Sequence, residues 1–335
     1  MDAELIEIWR GEMRECLHRG HAVICDDTGQ VVQAWGNPNM LIYPRSSAKP
    51  IQALAMLEAG VVLSEERLAL ACASHSGAAI HTDRVTSWLS EMDLTDDAFR
   101  CGGQEPSDVP ARDGLICAGE APRQIHNNCS GKHAGFLDFS RHLCAGPEYV
   151  DIDHPVQVAV KAAFEEVTGE TSPHWAVDGC SAPNHACTLS GLARAGAKFA
   201  AAAEDSTRGT AMVALRNAMM AFPELVAGEG RSCTDLMRAC RGKAAVKTGA
   251  EGVYLAILPE LRKGVALKIT DGATRAAEAA MAAILVLLGV ADRQDPLVAK
   301  YHYAQIRNRR DIVTGEMRPS PALQGRTLGQ LGLGR

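Results

Sequence analysis

Apolar positions alternate at the start of the chain. His21-Ala-Val-Ile-Cys25 and Val31-Val-Gln-Ala-Trp35 flank the turn sequence Asp26-Asp-Thr-Gly29, so residues 1–36 read as strands that include an antiparallel hairpin. From Ser46 the spacing changes to that of a helix, with Ile51, Leu54, Met56 and Leu57 on one stripe and Gly60 as a stop signal. The same spacing predicts helices over 65–73, 83–92, 132–142, 156–167, 188–203, 210–220 and 233–241, whereas Gly and Pro make 101–128 irregular. Strand patterns return at 244–248, 253–257 and 264–269, followed by a helix over 273–288. Strands at both ends around a block of helices predict a mixed α/β (α+β) fold whose antiparallel sheet draws on both ends of the chain. Residues 1–335 then form a single two-lobed domain, with a sheet lobe from about 1–45 and 244–335 and a helical lobe over about 46–243.

Composition narrows the classes of function. With 335 residues, 47% apolar and 22% charged, the chain has the material for a large core. Its formal net charge of −6 opposes the phosphate attraction on which nucleic-acid binding depends, so no nucleic-acid partner is expected. The acidic N-terminus lacks the features of a secretory signal, and the apolar stretch 279–290 is too short to span a bilayer. Eleven cysteines at irregular spacing, without Cys-x-x-Cys, argue against a disulfide framework, and a cytoplasmic protein without a membrane partner is expected.

The most informative local string is Arg45-Ser46-Ser47-Ala48-Lys49-Pro50. Pro50 is comfortable only in the first turn of a helix, so the helix starts near Ser46. Residues three apart share a helix face, which directs Ser46 and Lys49 the same way at a positive helix end, a place suited to a nucleophile. A lysine deprotonates a serine only when the amine is neutral, which calls for burial or a second cation. An N-cap serine beside a solvated lysine is the plainer reading of those residues alone.

A late strand carries Lys247-Thr-Gly249. Ser-x-x-Lys at a helix start with Lys-Thr-Gly on a strand is the pairing of serine β-lactamases, penicillin-binding proteins and serine glutaminases, although the Ser-Asp-Asn element of β-lactamases is absent. Two further segments are rich in reactive groups, Asn127-Asn-Cys129-Ser-Gly-Lys132-His133 and Asp178-Gly-Cys180-Ser-Ala-Pro-Asn-His185. Cys129 and Cys180, with His133 and His185 as possible nitrogens, form a set suited to zinc; two buried structural cysteines fit the spacing equally well.

Together these strings resemble the bacterial L-asparaginases of the Rhizobium etli inducible type. The resemblance rests on Gly36-Asn-Pro38, Arg45-Ser-x-x-Lys-Pro50, Cys72-Ala-Ser-His-Ser76, Cys101-Gly-Gly103, Cys129-Ser-Gly-Lys-His133, Asp178-Gly-Cys180, Gly228-Glu-Gly-Arg231 and Lys247-x-Gly-Ala250, in that order. The chain departs from the rhizobial pattern after Ser76 and after Cys180. The resemblance implies a serine β-lactamase-like fold, a homodimer, and hydrolysis of L-asparagine to L-aspartate and ammonia. It also implies two catalytic pairs, Ser46 with Lys49 and Ser74 with Lys247, and one zinc ion per chain near the active site on Cys129, Lys132 and Cys180. Arg45, His133 and Asp178 match residues that line the substrate site. A glutaminase or β-lactam-type amidohydrolase, and a non-enzymatic zinc- or amino-acid-binding protein, are the alternatives.

Overall fold

A computed structural model describes residues 1–324. The strands are β1 (Ala3–Arg10), β2 (Met13–Asp26), β3 (Val31–Trp35), β4 (Leu41–Ile42), β5 (Trp175–Val177), β6 (Pro183–His185), β7 (Cys187–Thr188), β8 (Ala245–Gly249), β9 (Val253–Leu258), β10 (Lys263–Ile269), β11 (Ala304–Arg307) and β12 (Val313–Pro319). The helices are α1 (Lys49–Glu58), α2 (Glu65–Ala71), α3 (Ala79–Glu91), α4 (Val109–Ala118), α5 (Ser130–His142), α6 (Pro155–Thr168), α7 (Leu189–Ala201), α8 (Thr207–Ala221), α9 (Pro223–Val226), α10 (Ser232–Cys240), α11 (Thr274–Leu287) and α12 (Pro296–His302). The mixed α/β class with an antiparallel sheet is the one the sequence pattern predicts. Two compact units are present, one of residues 1–47, 187–201 and 235–335, the other of 48–186 and 202–234. The stretch 325–335 of the expected sheet lobe lies outside the described residues.

The first unit is built on an antiparallel sheet in the order β11-β12-β1-β2-β10-β9-β8, with β3 pairing β2. Every residue of β9 is buried, and so are Val265, Ala266 and Leu267 of β10, so this part of the sheet reads as continuous hydrophobic runs rather than alternation. Helix α7 lies on β2, β9 and β10 and so groups with the sheet. The reason is a pair of glycines. A Cβ on Gly264 would stand 2.1 Å from the Ala193 carbonyl oxygen and 2.2 Å from the Ala197 nitrogen, so helix and strand meet backbone to backbone.

The second unit is helical. Its α1 packs on α2, α5, α6 and α8 and is buried from Lys49 to Met56, which explains its short-period apolar sequence. A 3-10 turn over Arg45–Ala48 leads into α1, with Pro50 in the first turn as its missing N–H requires. The segment 101–128, irregular by its Gly and Pro content, contains α4. Its start is marked by Pro110 in the first turn and by Asp108, whose Oδ1 accepts from the Ala111 N–H at 3.0 Å. Among the described residues no helix is long and apolar enough to cross a membrane, and no cysteine is joined to another in a disulfide.

Candidate active site

Within the helical unit, three chain segments bring the candidate residues together. Lys49 opens α1; Ser74 lies just past α2; and Cys129, Lys132 and His133 occupy the start of α5. The loop after α2 is pinned by two main-chain bonds, Ser74 N–H to the Val226 carbonyl at 2.9 Å and His75 N–H to the Asn128 carbonyl at 3.0 Å. A fourth segment, the turn between β5 and β6, presents Cys180. That turn closes through Asp178 N–H to the Ala182 carbonyl at 2.9 Å, and Ser181 takes a left-handed φ of 70°.

Lys49 is 1% exposed, and its Nζ donates to three acceptors: the Ala73 carbonyl, Ser74 Oγ at 3.0 Å and Cys129 Sγ at 3.1 Å. Three donors therefore meet three partners, and the amine is held in one place. Cys129 Sγ in turn lies 2.8 Å from Asn128 Oδ1. On the other side of the cluster Lys132 Nζ donates to Cys180 Sγ at 3.0 Å, and His133 packs edge-on against Tyr149 with ring centres 5.5 Å apart. All six residues, Lys49, Ser74, Cys129, Lys132, His133 and Cys180, are buried.

Cys180 is held well below the usual thiol range by the hydrogen bond from Cys129 and, against the cost of burial, by the Lys132 charge and by His133. Cys129 is pushed well above that range by its interaction with Cys180 and by burial, against the Lys49 charge. Burial pulls the Lys132 amine down, but the Cys180 and Cys129 sulfurs and Asp178 together outweigh it and raise it above its ordinary value. Burial, and then the Lys132 charge, bring His133 down to about 4.

Arg45, Ser46 and Lys247 belong to the sheet unit. Arg45 has a left-handed φ of 53° and lies 4.0 Å from the Glu251 carboxylate. Ser46, half-buried, follows it, and Ser47 Oγ donates to the Pro44 carbonyl at 2.7 Å. Lys247 is 1% exposed on β8 and donates to the Thr248 carbonyl at 2.8 Å. A Cβ on Gly249 would stand 2.6 Å from the Pro44 carbonyl oxygen and 3.2 Å from Ser47 N, so the glycine of Lys-Thr-Gly lets β8 lie against the turn that carries Ser46. Asp178 keeps its Oδ1 on the Gly179 N–H at 2.9 Å and contributes to the positive charge on Lys132.

Residues 6–319 match the family described as L-asparaginase II. The chain belongs to that family. It is accordingly an amidohydrolase of the asparaginase type, acting on a small carboxamide, and no curated protein matches it besides. Among solved structures it is similar to a β-lactamase from Mycobacterium bovis (15% identity, covering 80% of this chain and 94% of that one, TM-score 0.44). It is also similar to Mglu in its native form (14% identity, 83% and 66%, TM-score 0.42). Sequence reasoning missed Tyr149, which belongs to no string with a chemical signature and which only the fold brings to His133; Asn128 stands inside the string 127–133 and meets the sulfur of its chain neighbour Cys129.

Zinc would need donors that converge. Two sulfurs and one amine do so here, joined by the Lys132–Cys180 contact and by the hydrogen bond between the thiols. The set fits zinc in kind, since soft thiolates favour it. Among the described residues no three His, Cys, Asp or Glu side chains gather as a metal cage, so a zinc site on this chain depends on lysine as the third ligand.

Proposed function

We propose that the chain hydrolyses L-asparagine to L-aspartate and ammonia through a serine acyl-enzyme, in the manner of the Rhizobium etli inducible type. The observation that carries the serine–lysine chemistry is the buried Lys49 amine, fixed 3.0 Å from Ser74 Oγ. In the proposed mechanism Ser46 Oγ, three residues ahead of Lys49, attacks the side-chain carboxamide carbon and gives its proton to the Lys49 amine, which must first shed one of its three hydrogens to act as a base. Backbone N–H groups take the charge that develops on the oxygen. The carbon–nitrogen bond breaks, Lys49 returns the proton to the leaving nitrogen, and ammonia departs. Water then attacks the acyl carbon, losing a proton to Lys49, and Ser46 recovers its hydrogen. Ser74 and Lys247 relay protons to and from Lys49, and Arg45, His133 and Asp178 line the substrate site.

A zinc ion held by Cys129, Lys132 and Cys180 would supply positive charge for the α-carboxylate of the substrate. Coordination would require Lys132 to shed its proton, so loading releases protons and weakens as pH falls. The resemblance to the rhizobial enzymes also supports a homodimer working in the cytoplasm.

A second reading makes Ser74 the nucleophile, and the 3.0 Å contact with Lys49 favours it. Ammonia release from L-asparagine by Ser46→Ala and Ser74→Ala, with mass spectrometry of the peptide labelled by an electrophilic asparagine analogue, separates the two. Label on Ser46 and loss of turnover in Ser46→Ala are expected. Undiminished turnover in Ser46→Ala passes the role to Ser74, and the same assay with glutamine and a chromogenic cephalosporin tests the choice of substrate.

A further inference from the structure

The turn between β8 and β9 brings a carboxylate to the residue that precedes Ser46. Glu251 sits in that turn with a left-handed φ of 58°, and its carboxylate lies 4.0 Å from the guanidinium of Arg45, itself left-handed at φ 53°. Left-handed backbone is disfavoured for side chains of this size, so both conformations persist because their surroundings hold them. Around Glu251 the holding groups are plain. Lys268 Nζ donates to the Glu251 carbonyl and, at 3.0 Å, to the Ile269 carbonyl, and Ile269 N–H donates to the Gly252 carbonyl at 2.9 Å. Gly272, at φ 76°, leaves the room that Glu251 Oε2 occupies, since a Cβ there would stand 2.8 Å from it. The backbone of the turn is fixed, yet the carboxylate at its tip is 69% exposed.

Arg45 and Glu251 attract each other without closing, because 4.0 Å is longer than a hydrogen bond from an N–H to a carboxylate oxygen. A ligand with a single charge meets a conflict there: a lone carboxylate drawn to Arg45 is repelled by Glu251 beside it. A ligand that carries an ammonium and a carboxylate on one carbon satisfies both, since its two charges also stand a few ångströms apart. We propose that Glu251 is a specificity-determining residue that binds the α-ammonium of the substrate while Arg45 takes an oxygen of its α-carboxylate, so that the pair selects free α-amino acids beside Ser46. Gly249, two residues before Glu251, packs on the Pro44 carbonyl oxygen and on Ser47 N, which keeps the turn that carries Glu251 against the turn that carries Ser46. Selection then runs against N-acylated amino acids, whose α-nitrogen is uncharged. The inference deepens the asparaginase reading and takes the reacting bond from it.

The test compares L-asparagine with succinamate, which keeps the carboxamide and the carboxylate and lacks the ammonium. Ammonia release from each is measured for the wild type and for Glu251→Gln, on the full chain and at low salt. The preference for asparagine, the ratio of the two kcat/KM values, is expected to fall roughly 10-fold or more in Glu251→Gln, with the loss for asparagine mainly in KM, as removal of a hydrogen bond to a charged group gives. A preference unchanged in the variant overturns the inference, whether the two rates fall together because Glu251 only holds Arg45 or rise together because it only competes for Arg45. Equal kcat/KM for the two amides in the wild type overturns it without any variant. Calorimetric binding of L-aspartate and succinate to the same two proteins separates these outcomes from failure of the asparaginase reading. If the wild type hydrolyses neither amide, a preference for L-aspartate that Glu251→Gln abolishes leaves the inference standing and removes the functional reading. A preference that the variant keeps, equal binding of the two acids, or binding of neither overturns the inference.

Discussion

Ser74→Ala removes one of the three acceptors that hold the Lys49 amine. The Oγ it deletes lies 3.0 Å from Nζ, and Lys49 is 1% exposed, so water does not replace the lost partner. An unpaired N–H at such a depth costs about 1–3 kcal/mol of stability, visible as a lower denaturation midpoint with unchanged slope. The kinetic cost follows from the relay. A positioned proton-transfer group contributes roughly 10²–10⁴-fold, equivalent to about 3–5 kcal/mol of transition-state stabilisation. Lys49→Met should cost at least as much, because the amine is the base of the proposed mechanism. Groups that act as one unit are not additive, so the double variant is expected to release ammonia no more slowly than Lys49→Met alone. If the two serve separate steps, their effects multiply and the double variant falls by roughly 10⁴–10⁸-fold. The assay is ammonia release from L-asparagine at saturating substrate, on variants shown to be folded by denaturation. Undiminished turnover in Ser74→Ala, or full multiplication in the double variant, refutes a shared Ser74–Lys49 unit.

For the metal, elemental analysis of purified protein should find about one zinc per chain, and the Cys129→Ala, Cys180→Ala double variant should carry none; equal content in the two proteins removes Cys129 and Cys180 as ligands. For the fold, Gly264→Ala should destabilise by about 3 kcal/mol or more in urea unfolding, because its Cβ would press on three backbone atoms of α7 within 2.6 Å. Gly114→Ala, in α4 with nothing within 4 Å of the new Cβ, should instead stabilise by about 0.5–1 kcal/mol. Equal effects at the two positions would mean that the approach of α7 to β10 is not what Gly264 is for.

How much of this was legible in the chain depends on the range of the interaction concerned. The hairpin of β2 and β3, the start of α1 near Ser46 and the strands β8 to β10 follow from neighbours in sequence, and sequence reading places them to within a few residues. Helix α4 was hidden by its flanking glycines and prolines, yet Asp108 and Pro110 are the cap and first-turn residues that mark a start. Helix α12 begins the same way, with Asp295 as cap and Pro296 after it. The position of α7 on the sheet was not legible, because it follows from Gly196 and Gly264, residues 68 apart in the chain that only the fold brings together.

The site shows the same division. Spacing pairs Lys49 with Ser46, three residues away; the contact that folding adds is with Ser74 and Cys129, segments that sequence cannot align in space. Spacing likewise offers His133 as a nitrogen for zinc, and here chemistry narrower than residue type decides. A histidine has two nitrogens, and the one that carries the proton is set by the partner of the other. Tyr149, sixteen residues along, lies 2.9 Å from Nδ1 and also takes the Arg100 main-chain N–H. Lys132, which meets Cys180 Sγ at 3.0 Å, is the nitrogen that the fold brings to the two sulfurs.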